Sequence, residues 1–408
     1  MLQDLLQLIL FHRIVAEGTI LRDDAETDGA AGYAVAARLV ELAERYGFAG
    51  DLWQAFLAYT LLRDENPWSL ACEGRAEPEG TLAALAAQDM ERLLRVFRSG
   101  FESGAGLSAL HNYRPSAPQS ETAAAVHALR DALAGAQDAE EAARLLAGFY
   151  RRRGVGEFAL HRAFRAAEDG TLAPVSAAAA PLSSLVGYEV QKRQLCANTE
   201  AFLAGRSANN VLLYGDAGTG KSSCVRALLA EYPESLLRVV ELPKARLPLL
   251  PRIAEELGAR RCRFLLFLDD LSFEENETEY KQLKAAIEGG LAALPENVLI
   301  YATSNRRHLI RETWNDRADM EHDGDIHRSD TMEEKLSLAG RFGLRIYFPN
   351  PTFEEYHAIV RTLAERQGAD GAALRQAASA WQVRHGSRSG RTARQFVDDY
   401  LVAHPHGD

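Results

Sequence analysis

An α/β fold is what this sequence predicts: a parallel sheet followed by a helical lid and preceded by an all-helical region. Three observations predict it. Between residues 211 and 348, short apolar runs rich in β-branched and aromatic residues alternate with runs of helical period, which argues for a parallel sheet covered on both faces. Residues 1–167 carry apolar positions at helical spacing and little strand signal, the pattern of helices that bury one face. From Thr352 onward only helical patterns remain.

The chain has 408 residues, long enough for two or three domains. Hydrophobic residues at 47% and charged residues at 25% are ordinary for a globular protein, so the chain as a whole is not disordered. Forty-six Lys and Arg against 57 Asp and Glu leave a net charge of −11, which excludes a bulk nucleic-acid coat, because phosphate binding needs clustered basic charge. Cys72, Cys196, Cys224 and Cys262 are scattered with no CxxC pair and read as small apolar residues of a reducing compartment. No apolar run reaches the roughly 18 residues that cross a bilayer. The opening run 2–15 is interrupted by Asp4, Gln7, His12 and Arg13 and lacks a small-residue cleavage site, so it reads as an amphipathic helix, not a signal peptide. The expected location is the cytoplasm, with no membrane partner.

In chain order, helical runs begin at Tyr33 and at Leu82, a loop with Gly104, Gly106, Pro115 and Pro118 follows, and a long helical stretch covers 121–152. Residues 168–182, centred on a Gly-Thr-Leu-Ala-Pro run, read as a linker between the helical region 1–167 and the α/β region 183–350. Strands are expected over 211–214, 237–242, 263–268, 298–303 and 344–348, with helices over 221–230, 253–257 and 279–291, and the lid spans 351–408. No internal repeat is present.

Chemistry concentrates after the first of these strands. Gly215-Asp216-Ala217-Gly218-Thr219-Gly220-Lys221-Ser222 fits GxxxxGK[ST] between a strand and an apolar helix that starts near Lys221, with Ser223 expected beside the nucleotide, the context in which the motif is believable. Its glycines let the backbone curl so that N–H groups face phosphate oxygens. Lys221 would reach the β- and γ-phosphates of ATP, Ser222 would hold Mg²⁺, and the positive end of the following helix adds attraction. Chance produces four fixed positions of this kind in about one chain of this length in a hundred.

The strand 263–268 ends in Asp269-Asp270, 48 residues after Lys221. A carboxylate there supports Mg²⁺ in phosphate-loop enzymes and a second orients the attacking water, roles that suit Asp269 and Asp270 respectively. Asn305 follows the strand 298–303 and would lie between the acidic pair and the γ-phosphate; an ordinary strand-terminal turn is the bland alternative.

In this order, the phosphate loop, Asp269-Asp270, Asn305, a late arginine and a helical lid resemble an AAA+ ATPase. More narrowly, Asp269-Asp270-Leu271-Ser272-Phe273-Glu274, the run from Tyr301 to Leu309 and Glu334-Lys335-Leu336-Ser337-Leu338 resemble a bacterial AAA+ family known as a domain of unknown function, over about residues 180 to 405. The resemblance implies strand order 5-1-4-3-2, with ATP and Mg²⁺ as cofactors. It implies that the segment Leu185-Val186-Gly187-Tyr188, with Val186 and Gly187 binding the nucleotide, lines the adenine pocket, and that Arg341 is an arginine finger acting on a neighbouring subunit. It further implies that Arg391 is the lid arginine contacting the γ-phosphate, with Arg394, one turn on, competing for that role. The sequence departs from the family pattern in carrying Asp270 where many relatives have Glu, and Ala339-Gly340 where an acidic residue usually precedes the finger.

Two other signals compete with this reading. Residues 319–330 fit an EF-hand loop in spacing, but position twelve is Asp330 instead of a bidentate Glu and no clean helix pair flanks it; a charged surface insertion is the better reading. The basic run from Arg384 to Arg394 could contact nucleic acid, but lid arginines explain part of it and no interleaved aromatics support stacking. The expectation is a Mg²⁺-dependent ATPase that assembles into a ring or filament and remodels or loads a macromolecular client, most simply a protein. The alternatives are a nucleotide-gated binding module with little hydrolysis and a small-molecule kinase sharing the phosphate loop.

Overall fold

The computed structural model describes residues 2–14, 30–74, 78–100, 108–176, 180–273, 279–288, 294–305, 338–371 and 374–404. The EF-hand-like run 319–330, and the resemblance residues 274, 306–309 and 334–337, lie outside the described residues. The chain divides into two compact units: residues 1–162 with 234–236 and 260–262, and residues 163–233, 237–259 and 263–408.

The first unit is helical. It comprises α1 (Leu2–Leu6), α2 (Ala30–Tyr46), α3 (Leu52–Arg63), α4 (Pro67–Glu73), α5 (Thr81–Ser99), α6 (Glu121–Gly135), α7 (Ala139–Arg153) and α8 (Glu157–Leu160). Helix α3 is mostly apolar and buried from Leu52 to Leu62 except at Gln54, so it forms the axis of the core, against which α6, α2 and α8 pack. The single helical stretch expected over 121–152 is two helices. Ala136 leaves the helical path, and the Asp138 side chain accepts from Glu141 N to start α7. Asp89 of α5 is fully buried and its carboxylate accepts backbone N–H bonds from Ile9, Leu10 and Phe11, which fixes the chain after α1.

The second unit is built on a seven-stranded sheet: β1 (Ala163–Ala166), β2 (Leu172–Pro174), β3 (Val211–Gly215), β4 (Leu237–Glu241), β5 (Arg263–Leu268), β6 (Val298–Ser304) and β7 (Leu344–Phe348). The spatial order is β2-β1-β4-β5-β6-β3-β7, and every pairing is parallel except that of β1 with β2. Counted from β7, the five strands expected from the sequence stand in the implied order 5-1-4-3-2. Strands β1 and β2 extend the far edge and fall where the sequence reads as helical region and linker. They are short and carry no β-branched residue. Their turn is closed by Asp169, which accepts from Thr171, and by Gly170 at φ +86°, and β1 gains its order by pairing with β4.

Helices α9 (Glu189–Leu203), α10 (Lys221–Glu231), α11 (Leu250–Gly258) and α12 (Glu279–Glu288) connect these strands. The strands β3 and β5 are buried almost throughout, as a sheet covered on both faces requires. The lid holds α13 (Phe353–Arg366), α14 (Arg375–His385) and α15 (Gly390–Ala403), which close on a small core of Tyr356, Ile359, Val360, Ala393, Phe396 and Val397. A capping box of Thr352 and Glu355 starts α13. Among the described residues no helix is long and apolar enough to cross a membrane.

Candidate functional site

The C-terminal ends of β3, β5 and β6 meet the lid around a cleft of about 430 Å³, within the range of small-ligand sites. In an open parallel sheet, ligands sit outside the carboxyl ends of the strands. The loop after β3 needs its glycines here. Gly215 has φ +134°, and a Cβ on it would run into the Phe348 carbonyl of β7. Gly218 has φ +77°, and a Cβ on it would lie 2.7 Å from Ser389 Oγ at the start of α15. The lid thus seats directly on the loop, and Arg391 N donates to Gly218 O at 3.2 Å.

Lys221 is 5% exposed. Its ammonium donates to Gly215 O at 2.9 Å, to Asp216 O at 2.6 Å and to Asn305 Oδ1 at 3.0 Å. Burial pulls its pKa below the ordinary lysine value of 10.5; Asp216, Asp270 and Asp269 oppose this and Arg391 adds to it. Asn305 passes the contact on, its Nδ2 donating to Asp270 Oδ1 at 2.7 Å. Beside this chain, Ser222 Oγ donates to Asp269 Oδ1 at 2.5 Å, and Thr303 Oγ1 donates to the same oxygen at 2.7 Å. Thr303 Oγ1 also accepts from Asp270 N at 2.9 Å. Asp270 itself stands in the left-handed region at φ +51°.

Of the residues singled out in the sequence, Val186, Gly218, Thr219, Gly220, Lys221, Ser222, Ser223, Asp269, Asp270, Asn305 and Arg391 line one cleft. Gly187, Gly215, Asp216 and Ala217 stand outside the lining; the Gly215 and Asp216 carbonyls act instead on Lys221. Arg394 lines the cleft together with Arg391, so part of the basic run 384–394 belongs to this site. Arg341 does not line it. Arg341 precedes β7, which runs parallel to β3 with Val211 opposite Leu344, so it stands at the opposite end of the sheet from the loop. A five-residue strand, about 16 Å, separates the two.

Several lining residues escaped the sequence reading. Thr303 shares a face with Asn305 two residues on, and Arg226 follows Ser222 by one helical turn; both were findable from periodicity. Ser184, Ile359 and Leu363 also line the cleft; Ile359 and Leu363 of α13 join Leu185 and Tyr188, part of the segment read from the sequence as similar to an adenine-pocket lining, at its apolar end, and only the docking of the lid brings these two segments together. The donor set around Ser222 and Asp269 is oxygen only, as a hard divalent cation requires.

The strand order, the loop after β3 and the acidic pair after β5 make the second unit an AAA+ module. A family model described as "Protein of unknown function (DUF815)" matches residues 159–404. The chain belongs to that family. The DUF815 match covers more than half of the sequence and begins just before β1, so it includes the edge hairpin and the lid. No curated protein matches this DUF815 chain. Among solved structures, it is similar to the Holliday junction branch migration motor RuvB of Thermotoga maritima at 20% identity, over 56% of this chain and 67% of that one, with a TM-score of 0.38. It is similar to the ORC1 protein of Aeropyrum pernix in complex with DNA at 17% identity, over 54% and 62% of the two chains, with a TM-score of 0.39. The AAA domain of FIGL-1 in complex with ADP is 18% identical over 53% and 70%, with a TM-score of 0.33. All three are distant likenesses, and the fold rests instead on the strand order and loop geometry above.

Proposed function

We propose that the second unit is a Mg²⁺-dependent ATPase. The observation that supports this best is the connected set Lys221–Asn305–Asp270 beside Ser222–Asp269, at the foot of a phosphate loop. Lys221 and the loop amides hold the β- and γ-phosphates, and Lys221 gives up its carbonyl partners for them. Ser222 and Asp269 hold Mg²⁺, which neutralises charge on the phosphates when bound. Asp270 accepts the proton of the attacking water, and Asn305, already bonded to both Lys221 and Asp270, orients that water. Arg391 comes from the lid and couples lid position to phosphate occupancy.

Arg341 stands too far along the sheet to serve its own cleft, which favours action on a neighbouring copy and hence a ring or filament. On this reading turnover drives movement of a macromolecular client, most simply a protein. The test is ATP hydrolysis against protein concentration for the wild type, Lys221→Ala and Arg341→Ala. The rate per subunit is expected to rise with concentration, both substitutions to abolish it, and Arg341→Ala to keep ATP binding. Tight ATP binding without turnover at any concentration would replace this reading with a nucleotide-gated binding module. Phosphorylation of an added small-molecule acceptor would point to a kinase.

A further inference from the structure

Arg226 lies on the wall of the cleft, one turn along α10 from Ser222, and the site chemistry above gives it no part. Its Nη2 donates to Asp269 Oδ2 at 2.8 Å, and its guanidinium lies over the Phe267 ring with 5.5 Å to the centroid. Asp269 Oδ1 is already the acceptor for Ser222 and Thr303. Both oxygens of the proposed metal carboxylate are therefore engaged, one by two hydroxyls and the other by a cation.

We infer that Arg226 keeps divalent cations off Asp269 until nucleotide is present, so that metal and triphosphate enter together. This rests on the ATPase reading of the same site. The charges facing the cleft argue for it. Four cations (Lys221, Arg226, Arg391 and Arg394) face two carboxylates (Asp269 and Asp270), so the cleft carries two excess positive charges by that count. A free divalent ion is repelled, whereas an anionic triphosphate neutralises the excess and carries its own oxygen ligands. Among the described residues no cluster of three or more His, Cys, Asp or Glu could hold a metal without help. Arg226 is the member of this set that contacts the metal carboxylate itself, both competing for its oxygen and repelling the ion. It acts through Asp269 and is a positioning residue. Its side chain is 49% exposed, so it can swing away when the complex arrives.

The experiment measures Mn²⁺ binding by electron paramagnetic resonance on the full chain, with and without a non-hydrolysable ATP analogue, for the wild type, Arg226→Gln, Arg226→Met and Arg226→Lys. The Met variant keeps an aliphatic stem over Phe267. Without nucleotide, the Gln and Met variants are expected to bind Mn²⁺ about tenfold more tightly than the wild type, and Lys, which keeps the charge, to stay within about twofold. With the analogue bound, all four should agree within about threefold. A merely structural role would weaken Mn²⁺ binding or leave it unchanged. Unchanged or weaker nucleotide-free binding in both the Gln and Met variants overturns the inference, as does wild-type binding equally tight with and without the analogue. Analogue binding that is absent in the wild type, or indifferent to Lys221→Ala, would instead remove the ATPase reading on which it rests.

Discussion

At the scale of single residues, Asp270 and Lys221 carry the most specific consequences. Asp270 sits at φ +51°, where Asp and Asn are tolerated better than longer side chains. Asp270→Asn should therefore fold normally and, on the proposed reading, bind ATP with turnover reduced on the order of a hundredfold or more because the proposed proton acceptor is lost. Asp270→Glu should cost on the order of 1 kcal/mol in stability through its backbone conformation and displace the bond from Asn305. Denaturant melts and turnover rates of the two variants check this pair. Lys221 has its pKa lowered by burial, so the folded chain holds that proton less tightly than the unfolded one. Its contribution to stability then rises with pH between the lowered value and 10.5, the ordinary value. Affinity for the triphosphate should move the other way over the same window, falling as Lys221 loses its charge at a lower pH than an exposed lysine would. A pH titration of fluorescent ATP binding reads this directly, and an affinity that begins to fall no earlier than an ordinary lysine's titration would refute it.

At the scale of elements, the site is an assembly of strand ends. Thr303 is 1% exposed and closes β5 onto β6 by donating a hydrogen bond to Asp269 Oδ1 and accepting one from Asp270 N. Thr303→Val removes both contacts and should cost about 1–3 kcal/mol while also lowering turnover, as Asp269 and Asp270 lose their common anchor. In the helical unit, Asp89→Ala leaves the N–H groups of Ile9, Leu10 and Phe11 without their acceptor. A loss of about 3 kcal/mol and fast hydrogen exchange confined to residues 2–14 are expected, which peptide-resolved exchange would show. Elements with a strong period were legible in the sequence. All five expected strands stand within a residue of their predicted ends, because β3, β5 and β6 are mostly buried apolar runs bounded by polar turns and β7 alternates buried with exposed residues. The hairpin β1–β2 was not legible. Four residues alternating Ala, Phe, Arg and Ala carry no strand signal of their own, and the neighbouring β4 decides their state.

At the scale of the whole molecule, each of the two units has a hydrophobic core of its own. A fragment spanning 163–408 should therefore fold and bind ATP in a Lys221-dependent manner, which circular dichroism and nucleotide titration of the fragment would check. Failure of the fragment to fold would mean that its core does not suffice without the helical unit.

The sequence by itself determined the phosphate loop, the acidic pair, the position of Asn305 at the end of its strand and the layered α/β class. These depend on local spacing: a strand, a tight glycine turn and a helix, repeated in order along the chain. Tertiary structure alone decided which lid face meets the loop, that Arg394 joins Arg391 in the cleft and that Arg341 stands away from it. It also decided that Arg226 occupies the second oxygen of Asp269. Periodicity says which side of a helix is apolar or charged, but which partner it meets depends on how distant segments pack, and that packing is set by the shape of the folded core.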